Sequence, residues 1–447
     1  MTGDMTKGSP LRLILRFSLP VLIGNIFQQL YSIVDTIIVG RCVGNDALAA
    51  VGSTGALSFL ILGFAIGITG GFSVIASQRF GAQDEEGVKR SAAASTQLCV
   101  LITVLLTAVS LLTAKPLLRL MNTPEDIFQD AYTYISVIFI GIGASIYYNM
   151  IAGILRALGD SKTPLYFLIL SSLLNIGLDL LFILTFSMGV AGAAWATVLS
   201  QLISAVLCTL YAAKRFPILR LHRKHFRPDF RFMWAHLRIG LPMALQFSVT
   251  AVGIMILQSA INAFGSNVVA SFTAANKVEI FVTQTFVTLS VTMATYCGQN
   301  LGAGDISRLK QGLKTATWLG LLCSIVASLI NIFIGTPLST LFLETPSEEI
   351  LYYAQQYLTT IAIFYPMLAM LYVYRSSLQA MDAPAVPMLG GVLELAARFA
   401  VCTFLPQFWG YAAVCLATPA AWIAAAVPLM IKAFFLLRKL SRQAEKI

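Results

Sequence analysis

Two aspartates stand inside apolar stretches long enough to cross a bilayer. Asp35 lies in the run Phe17–Val39 and Asp179 in the run Thr163–Leu184, and neither run contains a Lys or Arg. A charged side chain at the bilayer centre costs about 2.5–3.5 kcal/mol on insertion scales, so an acid kept there marks an ion or proton pathway. Tyr31 precedes Asp35 by four residues and Asn175 precedes Asp179 by four, the spacing that stacks side chains on one helix face. Two carboxyls sharing one site titrate as a coupled pair and can take up a proton. With Asn175 and a hydroxyl such as Thr197 they equally offer the oxygen ligands that a hard cation takes. The expected ion-coupling set is Asp35, Asn175, Asp179 and Thr197, with H⁺ and Na⁺ both open. These four are metal ligands only if the ion is Na⁺.

The C-terminal half carries other charges inside its spans. Lys277 and Glu279 are two residues apart, so on a helix they do not face each other. Glu279 is a substrate-site candidate, because an acid facing a cavity attracts cations. Lys277 is kept as a second cavity candidate. Glu394 and Arg398 are four apart and are expected to pair along one helix. Pro20 and Pro242 fall near the starts of their spans, where proline either is tolerated or bends the helix.

These residues need membrane spans to position them. Of 447 residues, 57% are hydrophobic and only 11% charged, against ~25% charged in ordinary soluble chains. That excludes a soluble enzyme, a disordered chain and a secreted disulfide scaffold. Twelve stretches reach the ~20 apolar residues of a spanning helix: Phe17–Val39, Ala47–Ser77, Ser91–Ala114, Ala131–Leu155, Thr163–Leu184, Val190–Ala213, Ile239–Phe264, Val268–Gly298, Thr315–Ser339, Leu351–Tyr374, Pro387–Phe408 and Tyr411–Ile431. With the N-terminus inside, 24 of the 30 Lys and Arg fall on the cytoplasmic side and three outside, which predicts both termini in the cytoplasm of a plasma-membrane protein. The net charge of +10 therefore reads as topology and not as nucleic-acid binding. The seven scattered cysteines form no CxxC motif, so neither a zinc site nor a disulfide framework is expected. No cleaved signal peptide is expected either.

The two halves repeat. Ser77–Asp84 matches Gly298–Asp305, Leu19-Pro20 matches Leu241-Pro242, Leu155–Leu158 matches Leu378–Met381, and Ala196-Thr197 matches Ala417-Thr418, all at offsets of 221–223. Six spans per half give both halves the same orientation. The expected fold is an all-α polytopic membrane protein with two six-helix lobes related by a parallel pseudo-two-fold repeat. The boundaries read as 1–213 for the N-lobe, 214–236 for a basic cytoplasmic linker and 237–447 for the C-lobe. Under these offsets Asp35 corresponds to Leu257, Asn175 to Arg398 and Asp179 to Cys402, so the acids do not recur. No P-loop, H-E-x-x-H or G-x-S-x-G motif occurs. The chain therefore reads as a transporter driven by an ion gradient and not as an enzyme. The glycines Gly63, Gly67, Gly70 and Gly71 suit close helix packing.

Over essentially its whole length the chain resembles multidrug and toxic compound extrusion (MATE) transporters. The resemblance rests on Leu19-Pro20, on Tyr31–Asp35-Thr36, on Gln78–Ala82, on Leu155–Asp160 with Pro164, and on the run Gly189–Thr197. It implies a secondary antiporter that exports amphipathic, mostly cationic compounds against H⁺ or Na⁺ influx. It also implies no cofactor, and a monomer whose partners are small molecules and lipid. In that resemblance Asp35, Asn175, Asp179 and Thr197 fit the cation site of the DinF-like branch. Tyr31, Gln28 and Asn149 fit polar positions lining the same lobe, and Pro20 fits a bend in the first helix. The family pattern leads one to expect a glycine where Asp382 stands. The nearest alternative is a lipid-linked saccharide flippase of the same superfamily, which would carry more basic residues in its cavity. A channel and a membrane-embedded enzyme are the remaining alternatives.

Overall fold

The computed structural model describes residues 3–343 and 347–444; Lys446, counted above as cytoplasmic, lies outside them. The described residues form helices and their connections, with no strand. Ten helices are long and apolar enough to cross a membrane, and two bent pairs bring the number to twelve if each is one span. The bent pairs are Glu125–Ile140 with Ile142–Ala157, at 45°, and Glu348–Ile363 with Tyr365–Ala380, at 52°. They are the fourth and tenth spans. Their breaks fall at Gly141 and Phe364, positions that correspond in the repeat. At the second break Pro366 follows, which lacks the N–H that would continue the ladder. Large apolar side chains such as Val100, Leu101, Val104 and Leu105 stand exposed on the third span, an arrangement suited to lipid contact.

Two local expectations change. The run Ala47–Ser77 is not one helix: a short helix Asn45–Ser53 stops at Thr54 before the span Gly55–Gly81. Pro20 is not near a helix start either. The first helix begins at Pro10 and runs to Cys42, leaving Pro20 in its interior, as Pro242 is in Phe230–Asn262. Each removes a backbone donor from a continuous span. Asp382, where a glycine was expected, adopts φ 60°, close to the φ 77° of its repeat partner Gly159. Both sit in the left-handed region, which Asp tolerates better than most residues. The repeat also shows in the caps. The side chains of Asp84 and Asp305 accept from Gly87 N and Arg308 N at 2.8 and 2.9 Å, each closing the first turn of the following helix.

The chain forms two compact units. One comprises residues 1–4 and Leu19–Ala244, the other Met5–Ser18 and Leu245–Ile447. This differs from a division at the central linker. The first and seventh spans each change unit within a few residues of Pro20 and Pro242. The basic segment 214–236 is also packed and not free: Phe216 and Leu219 are buried in the core of the first unit, Gln97 donates to Phe226 O at 2.8 Å, and Arg90 pairs with Asp229 at 2.5 Å.

Within the first unit the second span meets the start of the seventh through small residues. A Cβ on Gly67 would lie 2.7 Å from Ala244 Cα, and one on Gly71 would overlap Gly240. Only hydrogen at these positions lets the backbones approach so closely. In the second unit the corresponding residues, Thr292 and Ser18, join their hydroxyls at 2.8 Å. The same crossing is thus held by backbone proximity in one unit and by a hydrogen bond in the other.

Candidate functional site

Four helices of the first unit bring the ion-coupling candidates together. Tyr31 and Asp35 come from the first span, Asn175 and Asp179 from Lys162–Leu180, and Thr197 from Gly189–Arg215. The fourth helix, Glu125–Ile140, contributes Tyr134, which lies within electrostatic reach of Tyr31, Asp35 and Asp179. The span carrying Asp179 continues directly into a π-helical turn, Leu181–Thr185, a distortion often found at functional sites.

The side chains form one connected network. The carboxyls of Asp35 and Asp179 lie in hydrogen-bonding contact. Asn175 turns its amide N–H to Asp179 Oδ2 at 3.1 Å, while its oxygen faces Thr197 Oγ1 at 3.3 Å. The reverse orientation would set the amide oxygen against the carboxylate, two acceptors face to face. The Tyr31 hydroxyl lies beside Thr197 and within electrostatic reach of both acids. Asp179 and Asn175 are buried and Asp35 is half-buried. Asp35 Oδ1 and Asp179 Oδ1 are buried without a hydrogen-bond partner, and an unpaired buried oxygen is costly. Two carboxyls in contact need a proton or a cation between them. The arrangement therefore suits one proton shared by the pair, or a cation held by Asp35, Asp179, Asn175 and Thr197.

The other candidates are not part of this network. Gln28 is exposed on the first span. Asn149 donates to Ser145 O of its own helix at 2.8 Å. Glu279 and Lys277 belong to the second unit and part ways, Lys277 being exposed and Glu279 buried. Glu279 Oε2 accepts from Tyr357 Oη at 2.7 Å and from Asn276 Nδ2 at 3.3 Å. Glu394 does not pair with Arg398 four residues on; it forms a buried ion pair with Arg375. Spacing along one helix pointed to the wrong partner because a neighbouring helix supplies a nearer guanidinium. Tyr134, Tyr357 and Arg375 went unnoticed as site residues. Aromatic residues are ordinary in spans, and Arg375 sits at the end of an apolar run, where a basic residue needs no explanation.

Comparison with known proteins agrees with this fold. The family profile MatE matches the chain twice, at residues 20–181 and 242–403, two stretches displaced by 222 residues, as the internal repeat is. The "Probable multidrug resistance protein YpnP" of Bacillus subtilis (strain 168) is 32% identical over 384 residues, covering 85% of this chain and 84% of that protein. The "Probable multidrug resistance protein YoeA" of the same organism is 31% identical, covering 80% and 78%. A crystal structure described as MATE in complex with MaL6 superposes with a TM-score of 0.90 at 24% identity, covering 99% of both chains. The chain is a multi-pass membrane protein that belongs to the MATE family of transporters.

Proposed function

We propose that this protein is an ion-coupled multidrug antiporter of the plasma membrane, with both termini in the cytoplasm, acting as a monomer. It exports amphipathic, mostly cationic compounds while H⁺ or Na⁺ moves inward through the acid pair. The observation that carries this reading is the contact between Asp35 and Asp179, with one buried oxygen of each left open. The names of the Bacillus relatives support the multidrug cargo, and the position of the acids in the N-terminal repeat supports a DinF-like coupling site.

In this reading the acid pair ties the first span to the fifth and sixth. A bound ion balances the two carboxyls and lets Asp35 stay against Asp179. Loss of the ion leaves two like charges in a poorly solvated place, and their repulsion favours separation of the first span. Pro20, interior to that span, weakens its hydrogen-bond ladder and lowers the cost of the rearrangement. Tyr31 and Tyr134 border the pair and limit water. Substrate held by apolar and aromatic surface is released when the helix moves.

The test uses purified protein in liposomes carrying a fluorescent lipophilic cation. A pH gradient and a Na⁺ gradient are imposed separately. Export follows one of them and falls to the background of empty liposomes in Asp35→Asn and in Asp179→Asn. Normal gradient-driven export by both variants would remove the acid pair from the mechanism.

A further inference from the structure

Among the residues that the repeat sets opposite the acid site, neither acid recurs and one residue is basic. Asp35, Asn175 and Asp179 correspond to Leu257, Arg398 and Cys402, and Tyr31 corresponds at the same offset to Gly253. The second unit brings Arg398 and Gly253 together: a Cβ at Gly253 would overlap Arg398 Nη1. Only glycine leaves space for the guanidinium at that place. The contact recurs one heptad earlier on both helices, where Gly391 packs on Gln246, a Cβ there lying 3.2 Å from Gln246 Cγ. The seventh and eleventh spans are therefore in register, and Arg398 is held between them by packing.

Arg398 is buried, with 5% of its surface exposed, yet its Nε and Nη1 have no hydrogen-bond partner among the described residues. The acids around it are otherwise engaged. Glu394, on its own helix, is bonded to Arg375, and Glu279, within electrostatic reach, is bonded to Tyr357 and Asn276. A guanidinium presents five donors and cannot lose its charge in a protein. Leaving the three donors on Nε and Nη1 unmet in a low-dielectric place is costly, and a basic residue kept within a span marks a binding function unless it is paired. A guanidinium is also the group that takes a carboxylate or phosphate most strongly, through charge-assisted hydrogen bonds.

We propose that the second unit holds an oxyanion site centred on Arg398, at the repeat position of the cation site, which takes the carboxylate or phosphate group of an amphipathic molecule. The two repeats then select opposite charges with the same helices. This site stands apart from the acid pair and does not depend on its coupling role. The oxyanion comes from a free amphiphile or from a lipid headgroup; the chemistry at Arg398 is common to both.

The test uses the full-length protein in phosphatidylcholine nanodiscs and two fluorescent probes with the same alkyl tail, one ending in carboxylate and one in trimethylammonium. The site requires that Arg398→Gln weaken the carboxylate probe tenfold or more, that Arg398→Lys lose less, and that the trimethylammonium probe show no such loss. Gly253→Ala, which pushes the guanidinium aside, weakens the carboxylate probe in the same direction. Competition by phosphatidylglycerol in the disc identifies a lipid headgroup as the source; competition by dodecyl phosphate alone identifies a free amphiphile. A measurement on the unaltered protein guards against variants that fail to fold. A photoreactive fatty acid should label peptides containing Gly253 or Arg398, and dodecyl phosphate should suppress the label. Equal carboxylate affinity in wild type and a monodisperse Arg398→Gln, or labelling that never reaches those peptides, overturns the proposal.

Discussion

At the scale of single residues, the buried charges differ in what their loss does. Arg375 and Glu394 neutralise each other inside the second unit. Breaking a buried pair by removing one partner leaves an uncompensated charge and typically costs 3–5 kcal/mol. Glu394→Gln should therefore lower the unfolding temperature of the purified protein clearly, and Arg375→Met with Glu394→Leu should recover most of the loss. An unchanged melting curve for the single variant would mean that the pair is not held in the native state. Asn175 offers a subtler case. Asn175→Ala removes a neutral donor to Asp179 and leaves both acids in place. A hydrogen bond to a charged group contributes about 1.5–3 kcal/mol, so gradient-driven export should weaken by roughly one to two orders of magnitude while the protein still folds. Asp382 should respond to backbone conformation alone. Its φ of 60° costs a residue with a Cβ roughly 1–2 kcal/mol, so Asp382→Gly should be neutral or stabilising and Asp382→Val destabilising in a thermal melt.

At the scale of elements, the crossing of the second and seventh spans rests on Gly67, Gly71, Gly240 and Ala244. Any side chain at Gly71 must push the two backbones apart. Overpacking of this kind costs typically 1–3 kcal/mol, so Gly71→Val should lower the yield and melting temperature of detergent-solubilised protein, whereas Gly265→Val, at a position with open space around it but φ 91°, should act only through local backbone strain. Pro20 belongs to the same scale. With alanine there the ladder can close, and export by Pro20→Ala should slow even though the protein stays monodisperse; a transport rate equal to wild type would show that the helix does not use its missing hydrogen bond.

At the scale of the whole molecule, composition and charge asymmetry carry the argument. The excess of basic residues on one set of loops predicts that a fluorescent protein fused after residue 447 lights up and that a periplasmic phosphatase fused there stays inactive. The opposite result would invert the topology and, with it, the direction of export. The two compact units exchange their first helical segments near Pro20 and Pro242, so each long helix belongs to both.

The sequence alone determined the membrane class, the all-helical fold and the repeat, and it singled out the two acids, each for the same reason. Burial in lipid exacts a large and local penalty, so apolar length, basic loops and isolated charges are written along the chain with little dependence on what packs where. The acid site was legible to the extent that its members are anomalous in their own helices. What remained hidden is relational. Tyr134 joins the acids from a different helix, Glu125–Ile140, and Glu394 chooses Arg375 over Arg398 only because another helix brings that guanidinium nearer. Gly253 makes room for Arg398 through packing between two spans far apart in sequence. Such contacts are set by interhelical geometry, and local spacing rules carry no information about it. The unit boundaries were decided the same way, because where a long helix changes partners depends on which small residues let two backbones approach.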